Sequence, residues 1–446
     1  MRIHFIAIGG SAMHNLAIAL HRKGNQVTGS DDAIYEPSRS RLEKEGLLPQ
    51  SFSWDASRID ASIDVIILGM HAKSDNPELL AAKALSLPVY SYPEYLYQAT
   101  KEKTRVVIGG SHGKTSITSM ILHVLDYWDL SVDYMVGAQL DGYDIMTHLT
   151  EDNEFVVLEG DEYLSSAIDS RPKFHLYKPN IALISGIAWD HVNVFPTMAD
   201  YVEQFRLFIE TMTPGGILIY NQEDEILEEL VITSKHPVRK IPYKTHAYYV
   251  DNGRTKLESE EGPIPLQIFG QHNMSNLSGA LLICSQMGID PLMFYEAIPS
   301  FTGASKRLEL FSDQSGKRIY RDFAHAPSKV NATTQAVREQ FPNDLFLACL
   351  ELHTYSSLDT SFIHTFANCL DHTDIAAVFI DYDSRKSKGK SHFEEDTIRN
   401  AFLHKSLHVF YDKETLASWL QKQPASIVLM MSSGHFGGLD LQSLVD

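Results

Sequence analysis

The sequence predicts an α/β protein built on parallel sheets, and three observations support this fold class. Short apolar runs rich in Ile and Val alternate with longer amphipathic segments along nearly the whole chain, which is the pattern of βαβ units. A length of 446 residues exceeds one ordinary domain, so we expect about three domains. A hydrophobic content of 44% supplies enough apolar side chains for packed cores, which excludes wholesale disorder.

The elements fall into three blocks, at 1–99, 100–299 and 300–446. The predicted helices include Ala12–Arg22, one after residue 113 and Met274–Met287. The runs that we expect to form strands are Ile3–Ile8, Gln26–Thr28, Val65–Leu68, Arg105–Ile108, Phe155–Leu158, Ile181–Ile184, Ile217–Tyr220, Arg318–Tyr320, Leu345–Cys349, Ala376–Ile380, His408–Phe410 and Ile427–Met430.

The composition excludes some classes of binding partner and indicates the cellular compartment. A formal charge of -19 argues against nucleic acid, because phosphate backbones select basic surfaces. The three cysteines show no metal-ligand or disulfide spacing, which favours a reducing compartment. The apolar start runs directly into Gly-Gly-Ser and looks like a first strand rather than a signal peptide. With no run of about 20 apolar residues, we expect a cytoplasmic protein that does not insert into membranes.

The strongest motif is GSHGKT at residues 110–115, which follows an apolar strand and opens a helix. Glycine loops in this context cradle phosphate, because backbone N–H groups and the helix dipole face the anion. Lys114 would reach the terminal phosphates of ATP, and the Thr115 hydroxyl would bind Mg²⁺. The strict eight-residue pattern fails, since its first glycine falls on Ile108. The alternative is a glycine-rich turn with a solvated lysine.

Two further strand ends supply candidate metal ligands. A cation held only by a threonine hydroxyl and phosphate needs a carboxylate, and Glu159 follows an apolar strand in EGDEY at 159–163. Ligands bind at such carboxyl ends of parallel strands. His191, after the strand at 181–184, could hold a second cation or orient a phosphoryl oxygen. Taken alone, the acidic cluster fits a solvated loop and His191 a structural histidine.

Together these motifs resemble the Mur ligase family, the ATP-dependent amide ligases of peptidoglycan assembly. GGSHGKTS, EGDEY, the Asp-His pair and GQHNMSN at 270–276 occur in the family's order, and its loop also lacks the first Walker glycine. The resemblance implies that the asparagines contact adenine. It implies a nucleotide site made of the loop and these later residues: Gly110, Ser111, His112, Gly113, Lys114, Thr115, Ser116, His272, Asn273, Asn276, Arg307 and Asp322.

The resemblance extends over the whole chain. KRLE at 306–309 is similar to a segment whose second basic residue, here Arg307, reaches the γ-phosphate. RDFAHAP at 321–327 implies that Asp322 holds the nucleotide in a closed enzyme, and IGGSAM at 8–13 resembles the loop that binds the UDP pyrophosphate. The family has a Rossmann-like UDP-sugar domain, a P-loop ATPase domain and a Rossmann-like C-terminal domain. The implied UDP-sugar residues are Gly9, Gly10, Ser11, Ala12, Met13, Asp31, His71 and Ser74.

The resemblance implies a reaction between UDP-N-acetylmuramate and an amino acid or peptide amine, with Lys114, Glu159, His191, Arg307 and Asp322 as catalytic residues. SDNPEL at 74–79, the stretch 159–179 and MSSGHFGG at 431–438 resemble the branch that couples L-Ala-γ-D-Glu-meso-diaminopimelate more than the branch that couples L-alanine. The candidates for amine recognition are His325, His353, Tyr355, Ser433 and His435.

Departures from the family pattern leave alternatives open. The family's Asn-x-Glu is Gly186-Ile187-Ala188 here, and ELHTYS at 351–356 is nearer to the alanine branch's His-Arg-Tyr but lacks its arginine. The first alternative is therefore the alanine-coupling activity, and the second a nucleotide-binding homologue that has lost ligation. A simple P-loop ATPase or kinase would not need all these motifs. A dinucleotide-binding site at Gly9 and Gly10 leaves the phosphate loop unexplained.

Overall fold

The computed structural model describes residues 1–140, 142–190, 194–314, 316–381 and 393–444. The backbone forms two compact units. The first comprises Met1–Ile187, Val202–Tyr243 and Gly279–Pro291, and the second comprises Ala188–Tyr201, Lys244–Ser278 and Leu292–Asp446. Both are α/β, and the expected fold class is confirmed.

The N-terminal part of the first unit is a parallel sheet of order β2-β1-β3-β4. The predicted strand over residues 3–8 ends two residues early, because Ala7 takes a left-handed φ of 67° and turns the chain. A capping box between Ser91 and Glu94 starts the last helix. The elements are β1 (Arg2–Ile6), α1 (Ser11–Arg22), β2 (Gln26–Ser30), α2 (Ser38–Lys44), β3 (Val65–Leu68), α3 (Pro77–Ala84), β4 (Val89–Ser91) and α4 (Tyr92–Thr100).

The central sheet of the first unit has the order β13-β12-β11-β5-β8-β6-β7. Its middle strands are buried on both faces, as their unbroken Val, Ile and Leu runs predict. The elements are β5 (Thr104–Gly109), α5 (Lys114–Tyr127), β6 (Asp133–Met135), β7 (Thr147–His148), β8 (Phe155–Glu159), β9 (Leu164–Ser166), β10 (Asp169–Pro172), α6 (Lys173–Leu176), β11 (Ile181–Ile184), α7 (Met198–Thr211), β12 (Ile217–Asn221), α8 (Glu225–Thr233) and β13 (Arg239–Tyr243).

The second unit carries a small antiparallel sheet, β14-β15-β16, and a larger sheet of order β17-β18-β22-β19-β20-β21. Among the described strands of the larger sheet, only β17 is antiparallel, and the central strands β19 and β22 are fully buried. Helix α9 (Gln271–Gln286) begins in the second unit and belongs to the first from Gly279 onward. The other elements from residue 244 onward are β14 (Tyr248–Asp251), β15 (Arg254–Leu257), β16 (Ile264–Pro265), α10 (Pro291–Ala297), β17 (Glu309–Gln314), β18 (Lys317–Asp322), α11 (Pro327–Gln340), β19 (Phe346–Glu351), β20 (Ile375–Phe379), α12 (Glu395–Phe402), β21 (Leu407–Phe410), α13 (Lys413–Gln421) and β22 (Ile427–Met431).

Apolar packing covers both faces of the larger sheet. Phe346, Phe366 and Phe402 lie in the core on one face, and Ile319, Phe379 and Leu416 lie in the core on the other. Within the described residues, no helix has the length and apolar character needed to cross a membrane.

Candidate active site

The phosphate loop begins where three neighbouring parallel strands end. Strand β5 lies between β11 and β8, with Gly109 level with Ile184 and Ile108 level with Glu159. Because the carboxyl ends of parallel strands meet at one edge, the loop, Ser185 and Glu159 come together. The sheet therefore brings together, at one edge, the loop and the carboxylate that the sequence predicts to act together.

Two glycines shape this loop. Gly110 has a φ of +129°, and a Cβ there would lie 2.1 Å from the Ser185 Oγ. Gly113 has a φ of +78° and is the N-cap of α5. The Ser111 N–H donates to the Gly186 carbonyl at 3.0 Å, and the Ser185 hydroxyl donates to the His112 carbonyl. The loop is thus fixed against β11, with the N-terminus of α5 available to an anion.

Lys114 is the first residue of α5 and is held on two sides. Its Nζ donates to the Gly110 carbonyl at 2.7 Å and to Glu162 Oε2 at 2.6 Å. Burial lowers the pKa of Lys114, but the carboxylates of Glu162 and Asp161 outweigh burial and raise that pKa overall. Lys114 therefore stays a cation, as phosphate binding requires.

Thr115 and Glu159 form a pair suited to a hard cation. The Thr115 hydroxyl donates to Glu159 Oε1 at 2.8 Å, and the Gly137 N–H donates to Glu159 Oε2 at 3.0 Å. Both side chains are at least nine-tenths buried. A hydroxyl and a carboxylate are the oxygen donors that Mg²⁺ prefers, so these residues fit the ion that the sequence implies. His191, the other predicted metal ligand, lies outside the described residues.

Gly186, where this chain departs from the family's Asn-x-Glu, is closely surrounded by other residues. Gly186 has a φ of +155°, and a Cβ there would lie 2.9 Å from the His112 ring and 3.0 Å from Asp224 Oδ2. The same Asp224 oxygen accepts the Ile187 N–H at 2.6 Å, and Asp224 caps α8 through the Leu227 N–H. The space near the loop where the family carries asparagine is therefore occupied by His112 and Asp224.

The predicted UDP-sugar residues surround the carboxyl ends of β1 and β3. Gly9 donates its N–H to Asp31 Oδ2 at 2.7 Å, and Gly10 is the N-cap of α1, which contains Ser11, Ala12 and Met13. His71 and Ser74 are exposed in the loop after β3, the strand that pairs with β1. Burial raises the pKa of Asp31, while the N–H of Gly9 opposes that shift.

The other predicted nucleotide residues lie in the second unit. His272, Asn273 and Asn276 occupy the first turns of α9, and both asparagines are 6% exposed. The Asn273 amide donates to the Phe269 carbonyl at 2.9 Å. This bond uses the amide nitrogen of Asn273 and leaves the hydrogen-bond acceptor role to its amide oxygen.

Arg307 is displayed on a strained turn that Asp322 holds. Lys306 and Leu308, on either side of Arg307, have φ values of 55° and 51°. Asp322 accepts the N–H groups of Leu308 and Ala324, each at 2.6 Å. Burial raises the pKa of Asp322, and the Arg307 charge opposes that shift. Both Asp322 oxygens are engaged locally, so the contacts favour a role in positioning Arg307, whose guanidinium lies 4.3 Å from the Phe323 ring centre.

The carboxyl edge of the larger sheet holds a second polar cluster around Glu351. Strands β18, β22 and β19 end side by side, with Asp322 and Leu350 both level with Met431. Glu351 is 1% exposed and accepts the Ser432 hydroxyl and, at 2.8 Å, the Phe436 N–H. His353 Nδ1 lies 3.5 Å from Glu351 Oε1.

Four predicted amine-side residues lie at or near this cluster. A Cβ on Gly434 would lie 2.7 Å from His353 Nδ1, so the loop packs directly on that ring. The His353 and His435 rings are 6.4 Å apart. Tyr355 is 47% exposed two residues beyond His353, and Ser433 lies in the same loop as Gly434.

His325, the fifth predicted amine-side residue, is held by contacts of its own. Its Nδ1 is 2.7 Å from the Phe323 carbonyl, and burial, with Lys329 nearby, lowers the pKa of His325 to about 4. It is therefore neutral at physiological pH. Lys329 also donates to Asp190 at 3.1 Å, an ion pair that the sequence did not suggest.

Sequence reasoning missed Glu162, Glu351 and Gly434. Glu162 stands in the quoted EGDEY motif without a partner that sequence could reveal. Glu351 ends a buried strand, which was its one available signal. Gly434 could be recognised only from its packing against His353.

Comparison with known proteins agrees with this geometry. Residues 2–104 match the model described as Mur ligase family, catalytic domain, and residues 108–284 match the Mur ligase middle domain. The chain is 28% identical over 464 residues to the UDP-N-acetylmuramate–L-alanyl-gamma-D-glutamyl-meso-2,6-diaminoheptandioate ligase of Escherichia coli (strain K12), covering 100% of this chain and 98% of that one. It is 30% identical over 393 residues to the UDP-N-acetylmuramate–L-alanine ligase of Sulfurihydrogenibium sp. (strain YO3AOP1), covering 86% and 84%.

A solved structure shows the same fold. The UDP-N-acetylmuramate-alanine ligase MurC from Thermotoga maritima superposes with a TM-score of 0.72 at 22% identity, over 100% of this chain and 97% of that one. The sequence similarities define a nucleotide-dependent ligase. The chain belongs to the Mur ligase family. It is accordingly an ATP-dependent, ADP-forming ligase of peptidoglycan assembly.

Proposed function

We propose that this enzyme joins the carboxylate of UDP-N-acetylmuramate to the amine of L-Ala-γ-D-Glu-meso-diaminopimelate, consuming ATP. The observation that carries the ligase chemistry is the convergence of Lys114, Thr115 and Glu159 at one sheet edge. The full-length similarity to the tripeptide ligase of E. coli supports the choice of amine. We also propose a cytoplasmic location and a role in cell-wall recycling or synthesis, and hence in cell shape and division.

The domains that we propose for this reaction are 1–99 for UDP-N-acetylmuramate, 100–299 for ATP and 300–446 for the amine substrate. The first carries the Gly9–Met13 loop at the N-terminus of α1, where backbone N–H groups favour a pyrophosphate. The second carries the phosphate loop. The third carries the polar cluster around Glu351.

The reaction needs ATP because a carboxylate oxygen is a poor leaving group. One carboxylate oxygen of the muramoyl group attacks the γ-phosphorus of ATP, and ADP leaves with the electrons of the broken P–O bond. The amine then attacks the acyl phosphate carbon, loses a proton and expels inorganic phosphate. Phosphoryl transfer of this kind depends on positioning and charge neutralisation.

We assign these tasks to particular side chains. Lys114 neutralises the terminal phosphates, and Arg307, on the turn that Asp322 holds, acts on the γ-phosphate. Mg²⁺, held by Thr115 and Glu159, supplies further charge neutralisation when bound. Asn273 and Asn276 receive the adenine. His353, with Glu351 behind it, contacts the amine-bearing substrate, and Tyr355, Ser433 and His435 border that position.

The alanine-coupling reaction is the second candidate. His353 and Tyr355 match two residues of that branch's His-Arg-Tyr, and the L-alanine ligase of Sulfurihydrogenibium is 30% identical. Thr354 replaces the arginine, which removes the cation suited to a free amino-acid carboxylate. A third candidate, a nucleotide-binding homologue without ligation, is motivated by Gly186 and Ala188.

Phosphate release by the purified enzyme separates these candidates. The enzyme is incubated with ATP, Mg²⁺ and UDP-N-acetylmuramate, with either the tripeptide or L-alanine. We expect release that requires the tripeptide. Release that requires L-alanine would establish the second candidate, and no amine-dependent release would exclude both ligase activities.

A further inference from the structure

Three carboxylates follow one another at the end of β8, and each has a different partner. Glu159 is bound by Thr115 and the Gly137 N–H. Asp161 pairs with Lys173 at 2.5 Å. Glu162 pairs with Lys114 at 2.6 Å. The Lys114–Glu162 pair is the important one, because Lys114 is the residue of the phosphate loop that we propose to bind the phosphates of ATP.

The geometry of the Lys114–Glu162 pair is that of a buried ion pair. The Glu162 side chain is 1% exposed, and that of Lys114 is 15% exposed. The second oxygen that Lys114 contacts is the Gly110 carbonyl, inside the loop itself. The Lys114 ammonium therefore lies across the phosphate-binding loop, and the Glu162 carboxylate already balances its charge there.

A nucleotide phosphate and Glu162 compete for the same ammonium. Lys114 carries one positive charge, and its ion pair with Glu162 already balances that charge when no phosphate is bound. Drawing Lys114 toward phosphate weakens the contact with a carboxylate that is almost wholly buried, which costs free energy. The pair therefore opposes phosphate binding while it keeps Lys114 oriented.

We propose that Glu162 is a positioning residue of the nucleotide site, an internal counter-anion that holds Lys114 in the empty loop and is exchanged for phosphate when nucleotide binds. This inference rests on the proposed nucleotide role of the loop. Glu162 then has two opposite effects. Glu162 lowers the affinity for phosphate in the absence of metal, and it keeps Lys114 in place for turnover.

A purely structural role for Glu162 predicts a different outcome. If Glu162 served only to fold the loop, its replacement would weaken phosphate binding together with stability. Glu162→Gln keeps the shape and one hydrogen-bond acceptor but removes the charge. Glu162→Asp keeps the charge on a shorter side chain. Asp161→Asn removes a neighbouring charge that pairs with Lys173 instead, so it reports the general negative potential of the segment.

The test is calorimetric titration of the full-length enzyme with ADP in EDTA, since adenine directs the ligand to the central site. We expect Glu162→Gln to bind ADP roughly tenfold more tightly than wild type, because Lys114 then reaches phosphate without giving up an ion pair to a buried carboxylate. Glu162→Asp should remain near wild type, and Asp161→Asn should gain far less. The gain should vanish when Lys114→Ala is added to Glu162→Gln.

Several outcomes would overturn the proposal. They are unchanged or weaker ADP binding by Glu162→Gln, an equal gain in Asp161→Asn, and a gain that survives the loss of Lys114. A melting temperature close to wild type excludes misfolding as the cause. Failure of the wild-type enzyme to bind ADP even with Mg²⁺ would contradict the nucleotide site itself, and so the proposed function with it.

Discussion

The phosphate loop and the Glu351 cluster occupy equivalent places, each at the carboxyl edge of a parallel sheet, yet they are built differently. The loop is a backbone cradle, shaped by left-handed Gly110 and Gly113 and completed by one lysine. The Glu351 cluster is a side-chain network that joins the ends of β19 and β22. Backbone N–H groups of such a loop can bind a phosphate with little help from side chains, whereas recognition of the proposed amine substrate would depend on side chains.

Loss of the loop lysine should give the largest effect. We expect Lys114→Ala to lower kcat by roughly a thousandfold or more, because phosphoryl transfer loses its fixed positive charge. UDP-N-acetylmuramate binding, measured by calorimetry, should be nearly unchanged, since Gly9–Met13 and Asp31 lie on a different sheet. Loss of that binding in the variant would contradict the separation of the two substrate sites.

Neutralising Glu351 should affect the amine side alone. Glu351→Gln weakens the bonds to Ser432, Phe436 and His353, and we expect the KM for the amine to rise roughly tenfold, since a hydrogen bond to a charged group contributes about 1.5 kcal/mol. The KM for ATP should stay within about twofold. Glu395→Gln, which removes an exposed acid from an ion pair with Arg399 in the same unit, is the control. An equal rise in both KM values would show that the cluster is not specific to the amine.

Restoring the family's asparagine at Gly186 should harm the enzyme. Gly186→Asn puts a side chain against His112 and Asp224 on a backbone with φ of +155°, and we expect a cost of about 1–3 kcal/mol. The melting temperature should fall and the KM for ATP should rise. Gly215→Ala, at a φ of +81° with open space around it, measures the backbone cost alone. Improved turnover in Gly186→Asn would contradict this account of the departure.

The smallest effect is expected from pH. Burial raises the pKa of Glu351, but the bonds from His353, Ser432 and the Phe436 N–H outweigh burial and place that pKa below its ordinary value of 4.5. A carboxylate whose pKa is lower in the folded protein than in the unfolded chain stabilises the fold at pH values above its ordinary pKa. This stabilisation is lost as the pH falls through the folded-state pKa. The melting temperature of wild type should exceed that of Glu351→Gln at neutral pH, and the difference should shrink below pH 4.5. A melting-temperature difference that stays constant with pH would show that the Glu351 charge is not the source of the stabilisation.

The strands show how much of the secondary structure the sequence can predict. Val65–Leu68 and Ile181–Ile184 were predicted to the residue, because buried parallel strands are unbroken apolar runs. The antiparallel strands β14 and β15 were missed, since YYVD and RTKL mix polar and apolar residues without such a run.

The same limit applies to the candidate site. The Gly110–Thr115 loop is contiguous, so its chemistry can be read from spacing. Glu351 and Ser432 are 81 positions apart and meet only through the order of the sheet. The pairing of Lys114 with Glu162, 48 positions away, is likewise a product of the fold.

The central claim is that ATP activates the muramoyl carboxylate as an acyl phosphate. The most direct test uses UDP-N-acetylmuramate labelled with ¹⁸O in that carboxylate, together with ATP, Mg²⁺ and the tripeptide, and mass analysis of the released phosphate. Because a carboxylate oxygen bridges to phosphorus in the intermediate, each phosphate released during ligation should carry one ¹⁸O. Unlabelled phosphate would show that water, and not the carboxylate, attacks ATP, and would contradict the ligase mechanism.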